Sequence, residues 1–140
     1  MAITQAVTTS FKSEVLQGVH NLSTDVFKLA LYTTNADLSS VTTVYTPLEE
    51  TTGTGYTAGG AVLTNTGVLT SGSVAYASWE PVSWIGATFT AAGALLYNAS
   101  KGNKSVAVFN FGGSYTTNGT PPFTVTFPAN TSTTAVITFS

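Results

Sequence analysis

The segment Phe123-Thr124-Val125-Thr126-Phe127 alternates apolar and hydroxyl-bearing residues throughout. Successive strand side chains point to opposite faces, so this pattern predicts a half-buried β-strand with Phe123, Val125 and Phe127 inward and the threonines outward. The preceding apolar run, Val106-Ala107-Val108-Phe109-Asn110-Phe111, carries apolar groups on both faces and predicts a central strand covered on each side. Toward the N-terminus the text stays β. Residues 26–32 place Phe27, Leu29 and Leu31 on one face, and residues 41–46 form a β-branched run ended by Pro47. Further short runs fall at 61–63, 68–69, 74–79, 85–90 and 94–97, and the last at 135–139. Clusters of Gly, Pro, Asn and Ser separate them, with a glycine-rich loop at 53–60 and a polar stretch at 112–122 that predicts a protruding loop. Strands this short, about 8–12 residues apart, mark a sandwich or barrel.

One segment reads differently. Val7, Phe11, Val15, Leu16 and Val19 recur at spacings of three and four, which predicts one apolar face of a helix about three turns long. Thr8, Thr9 or Ser10 can cap its start, and Gly18 or His20-Asn21 can end it. So short a helix is marginal in water, and its apolar face needs a cover. The expected architecture is therefore a mainly β chain: a single antiparallel β-sandwich or barrel-like domain with one short N-terminal α-helix. Residues 1–22 form the helical segment and 23–140 the β-sandwich. The face of Phe11, Val15, Leu16 and Val19 either packs under the sheet or docks on a neighbouring subunit, with Phe11 as the anchor in the second case.

Composition narrows function by exclusion. Of 140 residues only ten are charged (4 Lys, no Arg, 4 Glu, 2 Asp), while 27 Thr and 14 Ser carry small hydroxyls. Threonine suits the pleated surface and keeps an outer face wet without charge. Four scattered lysines cannot neutralise a run of phosphates, so no nucleic-acid partner is expected. The chain has no cysteine, hence no disulfide framework, no thiolate nucleophile and no Cys-based zinc site. Its opening residues lack the basic start and apolar run of a secretory signal, and no apolar stretch approaches the length of a membrane helix. No membrane partner is expected. So few charges also leave sheet edges less guarded against pairing, which predicts that the chain works in an assembly.

Chemistry-bearing motifs are weak. A catalytic triad would have to use His20, the single histidine, and no Gly-x-Ser-x-Gly elbow accompanies it. Glu49-Glu50 point to opposite faces if extended, and Glu80 stands beside Trp79 without an identifiable second acid, so all three read as solvated surface acids. Residues 53–58, Gly-Thr-Gly-Tyr-Thr-Ala, match the letters of a dinucleotide fingerprint but lack its strand and helix. Catalytic, cofactor and metal residues are accordingly none, and no cofactor is expected. Trp79 and Trp84 flank a bend and read as core aromatics, the other reading being a stacking platform for sugar or a partner subunit.

Three stretches together resemble a known class. They are Val26-Phe-Lys-Leu-Ala-Leu-Tyr-Thr33; Gly53-Thr-Gly-Tyr-Thr-Ala-Gly-Gly60 with Leu63-Thr64; and Gly86-Ala-Thr-Phe-Thr-Ala-Ala-Gly-Ala-Leu-Leu-Tyr-Asn98, continued by Asn103-Lys-Ser-Val-Ala-Val108. In this order the set resembles small virion structural proteins of tailed bacteriophages. The resemblance implies a non-enzymatic capsid decoration (cement) protein that binds the major capsid protein as a homo-oligomer, with a trimer favoured. Such a protein is made in the host bacterial cytoplasm and resides on the virion surface. The same class implies one other position, a tail component (tube, terminator or fibre). Independently of the resemblance, the tryptophans leave open a carbohydrate-binding β-sandwich module. No catalytic residue is carried over.

Overall fold

A computed structural model describes residues 2–139. Its elements are β1 (Ala6–Val7), α1 (Thr9–Leu16), β2 (Phe27–Tyr32), β3 (Ala61–Val62), β4 (Asn65–Ser71), β5 (Val74–Trp79), β6 (Val82–Trp84), β7 (Thr88–Asn98), a 3-10 turn (Ala99–Lys101), β8 (Lys104–Asn118), β9 (Phe123–Val125) and β10 (Ile137–Phe139). The fold is mainly β with one helix. Every strand pairing is antiparallel, and the sheets stack in a sandwich-like arrangement rather than closing into a barrel. The largest sheet has the order β1-β8-β7-β2-β3; smaller sheets are β10-β5-β4 and β6-β9.

The large sheet is covered on both faces, which explains its apolar text. One face packs Phe27, Leu29, Leu31 and Leu96 against Phe11 of α1, Trp79, Trp84, Phe127 and Ile137. The other packs Ala30, Tyr32, Leu95 and Val108 against Ile3, Ala36 and Leu38. β7 records the transition: burial alternates at its start, then every residue from Ala91 to Asn98 is buried. As expected, β9 buries Phe123 and Val125 in part and turns Thr124 to solvent.

The helix is shorter than expected. Val7 belongs to β1 and α1 spans eight residues, because Thr8 caps it, its hydroxyl accepting from the Phe11 N–H at 3.4 Å. At the other end Gly18 takes φ +75° while the N–H groups of Gly18 and Val19 bond the carbonyls of Val15 and Glu14 at 3.2 and 3.0 Å. This is a Schellman stop, which turns the chain before a third turn can form. Residues 41–46 do not form the expected strand. Hydroxyls of Ser39 and Thr42 accept local backbone N–H groups and turn the segment, leaving a single bridge from Val44 to Lys104. The segments read as separate strands at 85–90 and 94–97 are largely one strand, β7, with Ile85 left exposed in the turn before it. The loop expected at 112–122 is mostly strand too: β8 runs through Gly112-Gly113 to Asn118, and its register with β7 shifts opposite Ala91–Gly93.

Candidate functional site

The four residues of the expected helical face are not presented together. Phe11 is wholly buried, its ring centroid 4.9 Å from that of His20. Val15 and Val19 are half-buried, and Leu16 is 82% exposed. Phe11 therefore has no surface to offer a partner, and the exposed part of the face reduces to Leu16.

Beneath that helix lies a polar network. Asn98 Nδ2 stands 3.0 Å from His20 Nδ1 and 2.8 Å from Asp25 Oδ2, so its two hydrogens are both engaged. His20 Nδ1 is then the acceptor, and Nε2–H donates to Glu14 Oε1 at 2.9 Å. Lys101 reaches both Asp25 oxygens at 3.0 and 2.9 Å. Burial pushes the Asp25 carboxyl up, but the Asn21 N–H, the Asn98 amide and the Lys101 ammonium outweigh it and hold the group below its usual value. The network ties the segment after α1 to the end of β7. Its imidazole side chain has no exposed surface.

Glu50 corrects the reading of surface acids. It is 8% exposed and sits between the loop of residues 45–50 and the glycine-rich loop. Tyr45 and Tyr56 hydroxyls donate to its two oxygens at 2.6 Å each, and the Gly59 N–H donates at 2.8 Å. Tyr56 in turn accepts from the Leu31 N–H at 2.9 Å, Tyr97 donates to the Gly59 carbonyl, and Tyr32 donates to the Thr46 carbonyl at 2.7 Å. Burial first, and the Glu50 charge second, push the Tyr97 phenol up to about 12. The same causes raise Tyr32, and burial with the Glu50 hydrogen bond raises Tyr45 and Tyr56, all above the ordinary phenol range. Chemically this cluster is a fastener: the carboxylate's donors are all internal, and they pin the glycine-rich loop to β2 and β7. Gly60 shows how close that contact is. At φ +82° its position leaves no room for a Cβ against the Leu29 carbonyl.

The other two acids of that reading, Glu49 and Glu80, do stand in solvent. Glu80 is exposed, and Glu49, at φ +62°, is exposed and accepts from the Thr33 hydroxyl at 3.2 Å. Trp79 and Trp84 are 2% and 6% exposed, so neither offers a stacking surface, and a sugar platform built on them is excluded. The glycine-rich stretch is a loop without the helix that a dinucleotide site requires. Among the described residues no group of three or more His, Asp or Glu converges as metal ligands.

A cavity lies elsewhere. A cleft of about 660 Å³ lies between the distal half of β8 and the segment containing β9, with Phe109, Phe111, Tyr115 and Phe123 among its lining residues. Single-sequence reading missed it because it depends on two strands that fail to pair. The three stretches that carry the phage resemblance instead meet inside the molecule: β2 pairs with β7, and the glycine-rich loop backs onto both. They build the scaffold. In comparisons with known proteins, no family, no curated protein and no solved structure matches this chain.

Proposed function

We propose that this protein is a non-enzymatic structural component of a tailed-phage particle, a capsid decoration protein that docks on the major capsid protein lattice as a homo-oligomer, a trimer being favoured. One observation carries the reading: on a chain with ten charges, Leu16, Val41, Leu48 and Ile85 are 82%, 79%, 73% and 80% exposed. Burying one such side chain is worth about 1.5–3 kcal/mol, so aliphatic residues held out in water suit a protein that works by adhering. The internal use of His20, Glu50 and Asp25 as fasteners agrees with the same reading.

Leu16→Lys tests it. Lysine at a helix C-terminus suits the helix dipole, so the isolated variant is expected to melt as the parent does. Its binding to heads lacking the protein should fall tenfold or more, and those heads should regain less heat resistance. Unchanged binding and protection by the variant would remove Leu16 from the interface. Particles without the protein that keep head stability but lose adsorption would place it on the tail.

A further inference from the structure

The chain holds eight asparagines, and the fold treats them unequally. Asn98 is wholly buried with both amide hydrogens engaged. Asn110 donates to the Ile3 carbonyl at 2.8 Å and accepts from the Gly112 N–H at 2.9 Å, and the Asn130 amide donates to the Gly67 carbonyl at 3.2 Å. Asn118 is different. It is exposed at the end of β8, and among the described residues its side chain bonds to nothing. It is also the one asparagine followed by glycine. Gly119 takes φ +109°, and a Cβ built there would meet no atom within 4 Å, so open space lies on that side of the junction. Residues 119–122 belong to no strand or helix.

An asparagine side-chain carbonyl carbon can close a five-membered ring with the next backbone nitrogen. Closure needs an unengaged amide, a following residue with no Cβ to block the approach, and room for the backbone to turn. Asn118-Gly119 supplies all three, whereas Asn35 and Asn103 precede Ala36 and Lys104, whose Cβ atoms crowd the approach. We propose that Asn118 is a modification site at which the folded chain deamidates spontaneously, with water as the co-reactant. Hydroxide takes the Gly119 amide proton, and the nitrogen attacks Asn118 Cγ. The bond from Cγ to Nδ2 breaks, and that nitrogen takes a proton from water and leaves as ammonia. Water then opens the succinimide, with no oxidation or reduction in any step. Opening at Cγ gives aspartate; opening at the backbone carbonyl gives isoaspartate, whose main chain runs through Cγ and is one carbon longer. Either product sets a carboxylate on a cleft that none of the ten charged residues borders. Exposure keeps that carboxylate hydrated, so the fold tolerates it. The site is independent of the capsid reading.

The test ages the folded full chain in mildly alkaline buffer made with oxygen-18 water, then digests it in ordinary water. Only conversion that took place in the folded chain then carries the heavy oxygen. Lys104 is the last basic residue, so trypsin releases 105–140 as one peptide holding Asn110, Asn118 and Asn130, and fragment masses compare the three directly. Heavy oxygen is expected at position 118 in tenfold or greater excess over 110 and 130, as a mixture of isoaspartate and aspartate. Isoaspartate is identified by its acceptance of a methyl group from an isoaspartyl methyltransferase. The aged protein should also focus at a more acidic position, and Asn118→Gln should abolish that change. Equal conversion at the three asparagines overturns the proposal, as does aspartate at 118 without isoaspartate, which would mean direct hydrolysis. A folded chain that stays intact at 118 while the guanidinium-unfolded chain converts overturns it too, because the fold then protects the site.

Discussion

Glu50 brings a negative charge into the core, and two phenols and one amide N–H make that tolerable. Removing the carboxylate strands all three donors, and each buried unsatisfied group costs about 1–3 kcal/mol. Glu50→Ala is therefore expected to lower unfolding free energy by about 3 kcal/mol or more, and Tyr45→Phe, which deletes one donor, by about 1 kcal/mol. Urea denaturation at neutral pH measures both; a neutral Glu50→Ala would show the cluster to be ornamental. Nothing local distinguishes Glu50 from Glu49. A turn in which the Glu50 N–H bonds the Pro47 carbonyl at 3.2 Å, with Glu49 at φ +62°, leaves Glu49 in solvent and Glu50 inside. The partners come from loops and strands that meet only in the folded chain.

At the scale of elements, α1 shows what a period of three and four can and cannot say. It identified a helix around Phe11, yet Leu16, on the same predicted face, stands in solvent because five residues carry it about 140° round the helix from Phe11. Phe11 is the element's attachment to the sheet. Phe11→Ala should destabilise the isolated protein by about 3–5 kcal/mol, and amide exchange should accelerate first across α1 and the His20 contact. Protection in α1 equal to that of the parent would mean that other contacts hold the helix. The strands carry the converse lesson. Glycines read as breaks lie inside β7 and β8: Gly93 is where the Phe109 carbonyl and the Ile3 side chain come too close for a Cβ. A glycine in a strand can thus mark close approach as well as an end.

For the molecule as a whole, four phenols around one carboxylate predict how it fails in base. Below pH 10 these tyrosines are protonated in both states and add no pH dependence. Above it the unfolded chain loses its protons first, since the folded values are raised, so stability falls as pH rises. Each phenol still held in the folded state contributes a slope of up to about 1.4 kcal/mol per pH unit. Unfolding is expected between about pH 10 and 12, with ionisation of these phenols, followed by ultraviolet absorbance, coinciding with loss of the circular dichroism signal. Ionisation of all the tyrosines in a chain that keeps its dichroism would contradict it.

The class of this protein was present in its sequence, because burial on a pleated sheet imposes period two and two-sided cover imposes apolar runs; both patterns are written residue by residue. The helix, its cap and the inward tryptophans followed from equally local rules. Tertiary structure alone decided which strands pair, and so it alone opened the cleft between β8 and β9 and closed the shell of tyrosines on Glu50. Those features depend on contacts between residues distant along the chain, and no local spacing records which distant partner a backbone edge or a carboxylate will find.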